Sequence, residues 1–155
     1  MDQATLDLTL AIIHHLAVFG LFGVLVGELL LVRGEMSASD VRRVAGIDLW
    51  YGVLAVVIVV VGFSRAIFAA KGWDYYLHEP FFHAKLGVFL VIGLLSIAPT
   101  IQFIKWRGAL KKDATALPTD AQVASVRRLV LAEVVLFALL PVFAAAMARG
   151  VGAMS

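Results

Sequence analysis

Apolar residues in this chain gather into four long blocks, at residues 6–32, 47–70, 81–104 and 123–148, and the polar residues collect between them. Each block reaches the ~20 residues that a helix needs to cross a hydrocarbon core. A bilayer interior offers no water to unpaired backbone groups, so blocks of this length must be helical. The pattern predicts an all-α fold, a bundle of four transmembrane helices forming a single membrane domain over residues 1–155. Pro80 suits the first turn of span three, where its missing N–H has no helical partner in any case. Pro118, Thr119 and Asp120 form an N-cap cluster ahead of span four. Pro99 and Pro141 fall inside spans three and four and predict bends of the kind that make room for a cavity. Gly20, Gly23 and Gly27 share one face of span one, where a neighbouring helix can approach closely.

Composition agrees with this reading. The apolar share is 62% and the charged share 15%, against roughly half and a quarter in soluble domains. The net charge is only +2, and the basic residues lie between the blocks rather than along a nucleic-acid-binding stripe. With no cysteine there is no disulfide framework, thiolate site or iron–sulfur cluster. The first block is expected to stay in the protein, because Met1, Asp2 and Gln3 lack the positive start of a signal peptide.

Orientation follows from the basic residues. Arg33, Arg42 and Arg43 flank the first connection, and Lys105, Arg107, Lys111, Lys112, Arg127 and Arg128 flank the third. The other side has only Arg65, Lys71, Lys85 and Arg149. Basic residues stay cytoplasmic, so both termini and the second connection are expected outside, in an N-out/C-out bundle. The second connection carries Trp73, Tyr75, Tyr76, Phe81 and Phe82, a set suited to an interfacial aromatic belt. His78 reads as a surface residue there. The third connection, around Gly108, Lys111, Lys112 and Asp113, reads as a solvated loop.

Ionisable residues inside the spans fall into two layers. His14, His15, Arg65, His83 and Lys85 meet at one level of the outer leaflet. Glu28, Asp48 and Glu133 occupy the inner half. A charge in a span costs at least ~2.5–3.5 kcal/mol on insertion scales, so such residues usually face the bundle. Arg65, Lys85, Glu28 and Asp48 could instead reach the headgroups. Glu133 is too deep for that and is expected to face inward.

Neutral imidazole is the common protein ligand for haem iron, and bundles build cofactor sites from side chains on facing helices. One histidine from span one, His14 or His15, and His83 from span three are expected to supply both axial positions of a haem b. Adjacent helical positions diverge by ~100°, so only one of His14 and His15 can face a given iron. His83 and Lys85 diverge by ~200°, so Lys85 should not share the iron of His83. Lys85 and Arg65 could neutralise haem propionates or an anionic substrate. Imidazole also suits copper, although Met1, Met36, Met147 and Met154 form no cluster within the spans. The remaining alternative is a bundle with structural histidines that assists assembly of a larger complex.

The segment from Trp73 to Leu86, with His14-His15-Leu16, Ile47 to Gly52, and Leu95 to Thr100, resembles a family of small four-span bacterial membrane proteins known only as a domain of unknown function. More distantly, His83-Ala84-Lys85-Leu86 is similar to the His-x-Lys region of HemJ-type protoporphyrinogen oxidases, small haem-binding membrane proteins. The span-one histidine of those enzymes is followed seven positions later by an aromatic residue, as His15 is by Phe22. The resemblance therefore implies His15 ahead of His14 as a ligand, and Lys85 as the functional, catalytic lysine. Their Leu-Pro-Arg sequence is replaced here by Val24 to Glu28, which bears on the substrate more than on the haem. CopD-type copper-resistance domains look like members of the same broad group. The expected function is that of an oxidoreductase exchanging electrons with a quinone or another membrane partner, with oxidation of a porphyrinogen as the narrower version. A homo-oligomer is compatible with the pattern.

Overall fold

The computed structural model describes residues 2–68, 77–78 and 80–149, and the regular elements among them are all α-helices. We number them α1 (Gln3–Leu31), α2 (Ala38–Phe68), α3 (Pro80–Lys112), α4 (Asp120–Phe137) and α5 (Leu139–Ala148). Four helices, with Asp120–Ala146 taken as one span, are long and apolar enough to cross a membrane. Lys71, Trp73, Tyr75 and Tyr76 lie outside the described residues, and so does most of the aromatic belt expected there.

Local chemistry sets the helix ends. Asp2 caps α1 by accepting from the Thr5 amide at 2.8 Å. Beyond α1, Gly34 adopts φ 53°, a left-handed conformation that glycine takes without a Cβ clash. α2 starts at residue 38 rather than 47, because Ser37 and Asp40 form a reciprocal cap. The Asp40 amide donates to Ser37 Oγ at 3.2 Å, while the Ser37 amide donates to Asp40 Oδ2 at 3.0 Å. α3 runs to residue 112 rather than 104, so Lys105, Arg107, Lys111 and Lys112 lie on its last turns and not in a loop. Positive charge there complements the helix dipole. The solvated third connection shrinks to residues 113–119, where the Thr115 amide and hydroxyl both donate to Asp113 and hold its carboxyl below the usual range. Thr119 caps α4 in a capping box with Gln122.

The fourth span is not one helix. α4 stops at Phe137 and α5 starts at Leu139. Pro141 explains the break: it has no N–H for the Phe137 carbonyl, and its ring crowds that oxygen. Pro99, by contrast, lies within an unbroken α3 and is buried.

Among the described residues α1 packs on α2, α2 on α3, α3 on α4 and α5, and α4 back on α1. Thus α1 and α3 lie diagonally across the bundle and meet only through their side chains. The Gln3 side chain donates to the Phe68 carbonyl, tying the start of α1 to the end of α2. At the opposite end, where the first and third connections lie, Arg127 Nη1 donates to the carbonyls of Leu29 and Val32 at 2.6 and 2.8 Å. These belong to the last turn of α1, where carbonyls lack helical donors.

Two apolar clusters fill the interior. Val32, Val41, Val44, Phe103, Trp106 and Val130 belong to one near the connections. Leu21, Leu25, Tyr51, Ile58, Ile92 and Phe137 belong to the other, nearer the termini. Leu16, Phe19, Leu49, Trp50, Leu90 and Leu94 face outward. Because lipid tails are as apolar as leucine, close packing rather than escape from water holds such helices together. Phe103→Ala should therefore cost about 3 kcal/mol through an unfilled cavity, whereas Phe19→Ala, at a position 71% exposed, should cost almost nothing. Arg127→Met should cost about 2 kcal/mol by leaving carbonyls of α1 without a charged donor. Reversible unfolding in mixed micelles measures all three.

Candidate functional site

The two adjacent imidazoles of α1 have different surroundings. His14 is half-buried against α2, where a Cβ added at Gly62 would come within 3.3 Å of its Cε1. Gly62 is therefore the residue that admits the ring. The Nδ1 of His14 is buried without a hydrogen-bond partner. His15 is exposed, with its Nδ1 2.6 Å from the carbonyl of Ala11. A carbonyl can only accept, so Nδ1 carries a proton, and in the neutral ring Nε2 keeps its lone pair. The two rings stand edge to face, centroids 6.1 Å apart.

Both imidazoles line a cleft of about 380 Å³, within the size range of small-molecule sites. Its apolar wall includes Ile58, Phe63, Phe82, Phe89, Phe137 and Leu140, and its polar part is completed by Arg65 and Lys85. The helix break ahead of Pro141 is used here, since Phe137 ends α4 and Leu140 lies in the first turn of α5. Arg65 Nε lies 3.8 Å from Asp7 Oδ1 in a loose ion pair, and neither atom has a hydrogen-bond partner.

His83 is placed elsewhere. It is exposed, its Nε2 lies 2.8 Å from the Leu77 carbonyl, and its ring meets Phe82 edge-on. It is not among the residues that line the cleft. The divergence of ~200° between its position and that of Lys85 explains why: Lys85 faces the cleft, so His83 is turned from it. His14, His15, Arg65 and Lys85 thus come together as the sequence suggested, without His83. The cleft therefore presents imidazole from α1 alone, beside the cations of α2 and α3. Among the described residues no three acidic or histidine side chains form a group able to hold a bare metal ion. His78 is exposed, as expected of a surface residue.

Asp7 and Gly62 escaped the sequence reading. Asp7 is a carboxylate two helical turns before His14, and that spacing was its only signal. Gly62 stands in a β-branched run, where a glycine often marks a close approach. Of the three glycines noted on α1, Gly20 and Gly27 pack against Leu54 and Ile47 of α2, whereas Gly23 faces open space.

The second polar layer lies between the two apolar clusters. Glu28, Asp48 and Glu133, from α1, α2 and α4, are only 2%, 9% and 1% exposed, so they face the bundle rather than the headgroups. Thr100 of α3 donates to Asp48 Oδ1 at 2.7 Å. One oxygen each of Glu28 and Glu133 has no hydrogen-bond partner. A second cavity, of about 330 Å³, is lined by Asp48 together with Ala45, Phe103, Ile104, Arg107 and Lys111.

A family model described as a predicted membrane protein, DUF2214, matches residues 6–152, nearly the whole chain. No curated protein and no solved structure matches it. The contact between Gly62 and His14 gives a direct check on the cleft. Gly62→Val should displace the imidazole and move its side-chain nitrogen resonances. Gly93→Val, at a glycine with open space around it, should leave those resonances where they are.

Proposed function

The chain belongs to that family of predicted membrane proteins, and from this premise we propose that it is a membrane redox protein holding haem b in the cleft, on one axial imidazole from α1. The observation that carries the reading is the convergence of two imidazoles and two cations on a largely apolar cleft within the bundle. His15 is the favoured ligand, because its Nδ1 is committed to the Ala11 carbonyl and its Nε2 remains available. His14, with an unpartnered Nδ1, is the alternative.

Haem bound there would supply a one-electron couple at its iron. The chain's own contributions are separate and local. Phe82, Phe89 and Phe137 exclude water, which strengthens any charge interaction inside the cleft. Arg65 and Lys85 present positive charge to carboxylates, and Asp7 restrains the Arg65 side chain. Phe63 and Leu86 line the cleft yet remain exposed toward lipid, giving a lipid-soluble quinone a way to approach. The distribution of basic residues supports a periplasmic position for this cleft in a bacterial inner membrane. If the substrate is a porphyrinogen, Lys85 is the residue positioned to meet its carboxylates.

A reduced-minus-oxidised visible spectrum of protein made with ample haem tests the proposal. A Soret and an alpha band are expected, lost in His15→Ala and largely kept in His83→Ala. Arg65→Ala combined with Lys85→Ala should lower haem content without removing the bundle. A colourless protein would leave the histidines as packing residues of an assembly bundle. Pigment lost only in His83→Ala would overturn the choice of ligand.

A further inference from the structure

Glu28, Asp48 and Glu133 take no part in the cleft. Along α1, Glu28 lies fourteen residues beyond His14, about 21 Å at ~1.5 Å per residue. Leu21, Leu25, Ile58 and Ile92 lie in the apolar cluster between the two layers. The carboxyls therefore need a role of their own.

We propose that Glu28, Asp48 and Glu133 form a buried proton-binding site that exchanges with water through the cavity beside Asp48. Several independent observations converge on this site. Glu28 and Glu133 are almost wholly buried, and each keeps one oxygen without a partner. Each of the three acids lies within electrostatic reach of another from a different helix. An ionised carboxylate in such an interior needs a cation or strong donors, and a bound proton meets that need with the least room. The donor set is all oxygen, yet it forms no group able to hold a metal ion among the described residues, which favours the proton over a metal cation.

The surroundings match that role from every side. α2 contributes Asp48 and the buried Tyr51, and α3 contributes the Thr100 hydroxyl that donates to Asp48. α4 contributes Glu133 and, toward the connections, Arg127, whose Nη1 is engaged with the last carbonyls of α1. Arg107 and Lys111 of α3 stand exposed on the cavity that leads to Asp48. A proton leaves water in that cavity for a carboxylate oxygen of Asp48 and is shared onward with Glu28 or Glu133. Leu21, Leu25 and Ile58 block its passage to the histidines.

Infrared difference spectroscopy of the full-length protein in lipid, titrated with pH, reads protonated carboxyl groups directly through their C=O stretch. A band sensitive to deuterium exchange is expected near neutral pH, reduced by Glu28→Gln and by Glu133→Gln, and unchanged by Glu35→Gln on the exposed first connection. Should one of the buried-site variants fail to fold, Asp48→Asn provides the same readout from the edge of the site. Absence of the band near neutral pH, or a band that survives all three buried-site substitutions, would overturn the proposal. A band that appears only when sodium is removed would overturn it in favour of a metal cation. The histidines of the cleft do not enter this measurement, so its failure is distinct from failure of the haem reading.

Discussion

Hydrocarbon gives a polar atom nothing to bond with, and this structure is arranged around that constraint. Backbone groups answer it by forming helices, and helix ends answer it with dedicated donors and acceptors such as Asp2, Ser37, Thr119 and Arg127. Side chains answer it by turning inward. The three inner acids are nearly sealed from the surroundings, and Arg65 and Lys85 lie along the cleft rather than on the lipid-facing surface.

Inward-facing polar groups must then share the bundle with apolar packing, and they do so in separate strata. Carboxyls lie between two apolar clusters, while imidazoles and cations sit beyond the second cluster toward the termini. The strata carry opposite chemistry. One gathers imidazole nitrogens and positive charge around an apolar cleft. The other gathers buried carboxyl oxygens, two of them without a hydrogen-bond partner. Low dielectric between them strengthens charge interactions within each stratum, and it also makes an uncompensated charge in either one costly.

Proline and glycine provide the space. Ahead of Pro141 the fourth span breaks, and the two sides of the break give the cleft Phe137 and Leu140. Gly62 lets α2 accept the His14 ring against its backbone, where an added Cβ would crowd the ring at 3.3 Å. At Pro99, by contrast, α3 continues without interruption. Two prolines inside apolar spans therefore have different consequences.

Fold class, the number of spans and the two polar strata were legible in the sequence, because each depends on chain-local quantities: block length, hydrophobicity and depth along a helix. Even the early start of α2 was written there, in the Ser37 and Asp40 pair, although hydrophobicity alone pointed to residue 47. The ~200° divergence of His83 from Lys85 was equally readable. What no single helix could reveal was which of those two would face the bundle. That depends on how α3 is rotated against α2 and α5, and α3 turned Lys85 to the cleft and His83 toward the Leu77 carbonyl. The partners of Asp48 and Arg65, Thr100 and Asp7, were likewise fixed only by assembly. Side-chain depth is a property of one helix, whereas side-chain company is a property of the packed bundle.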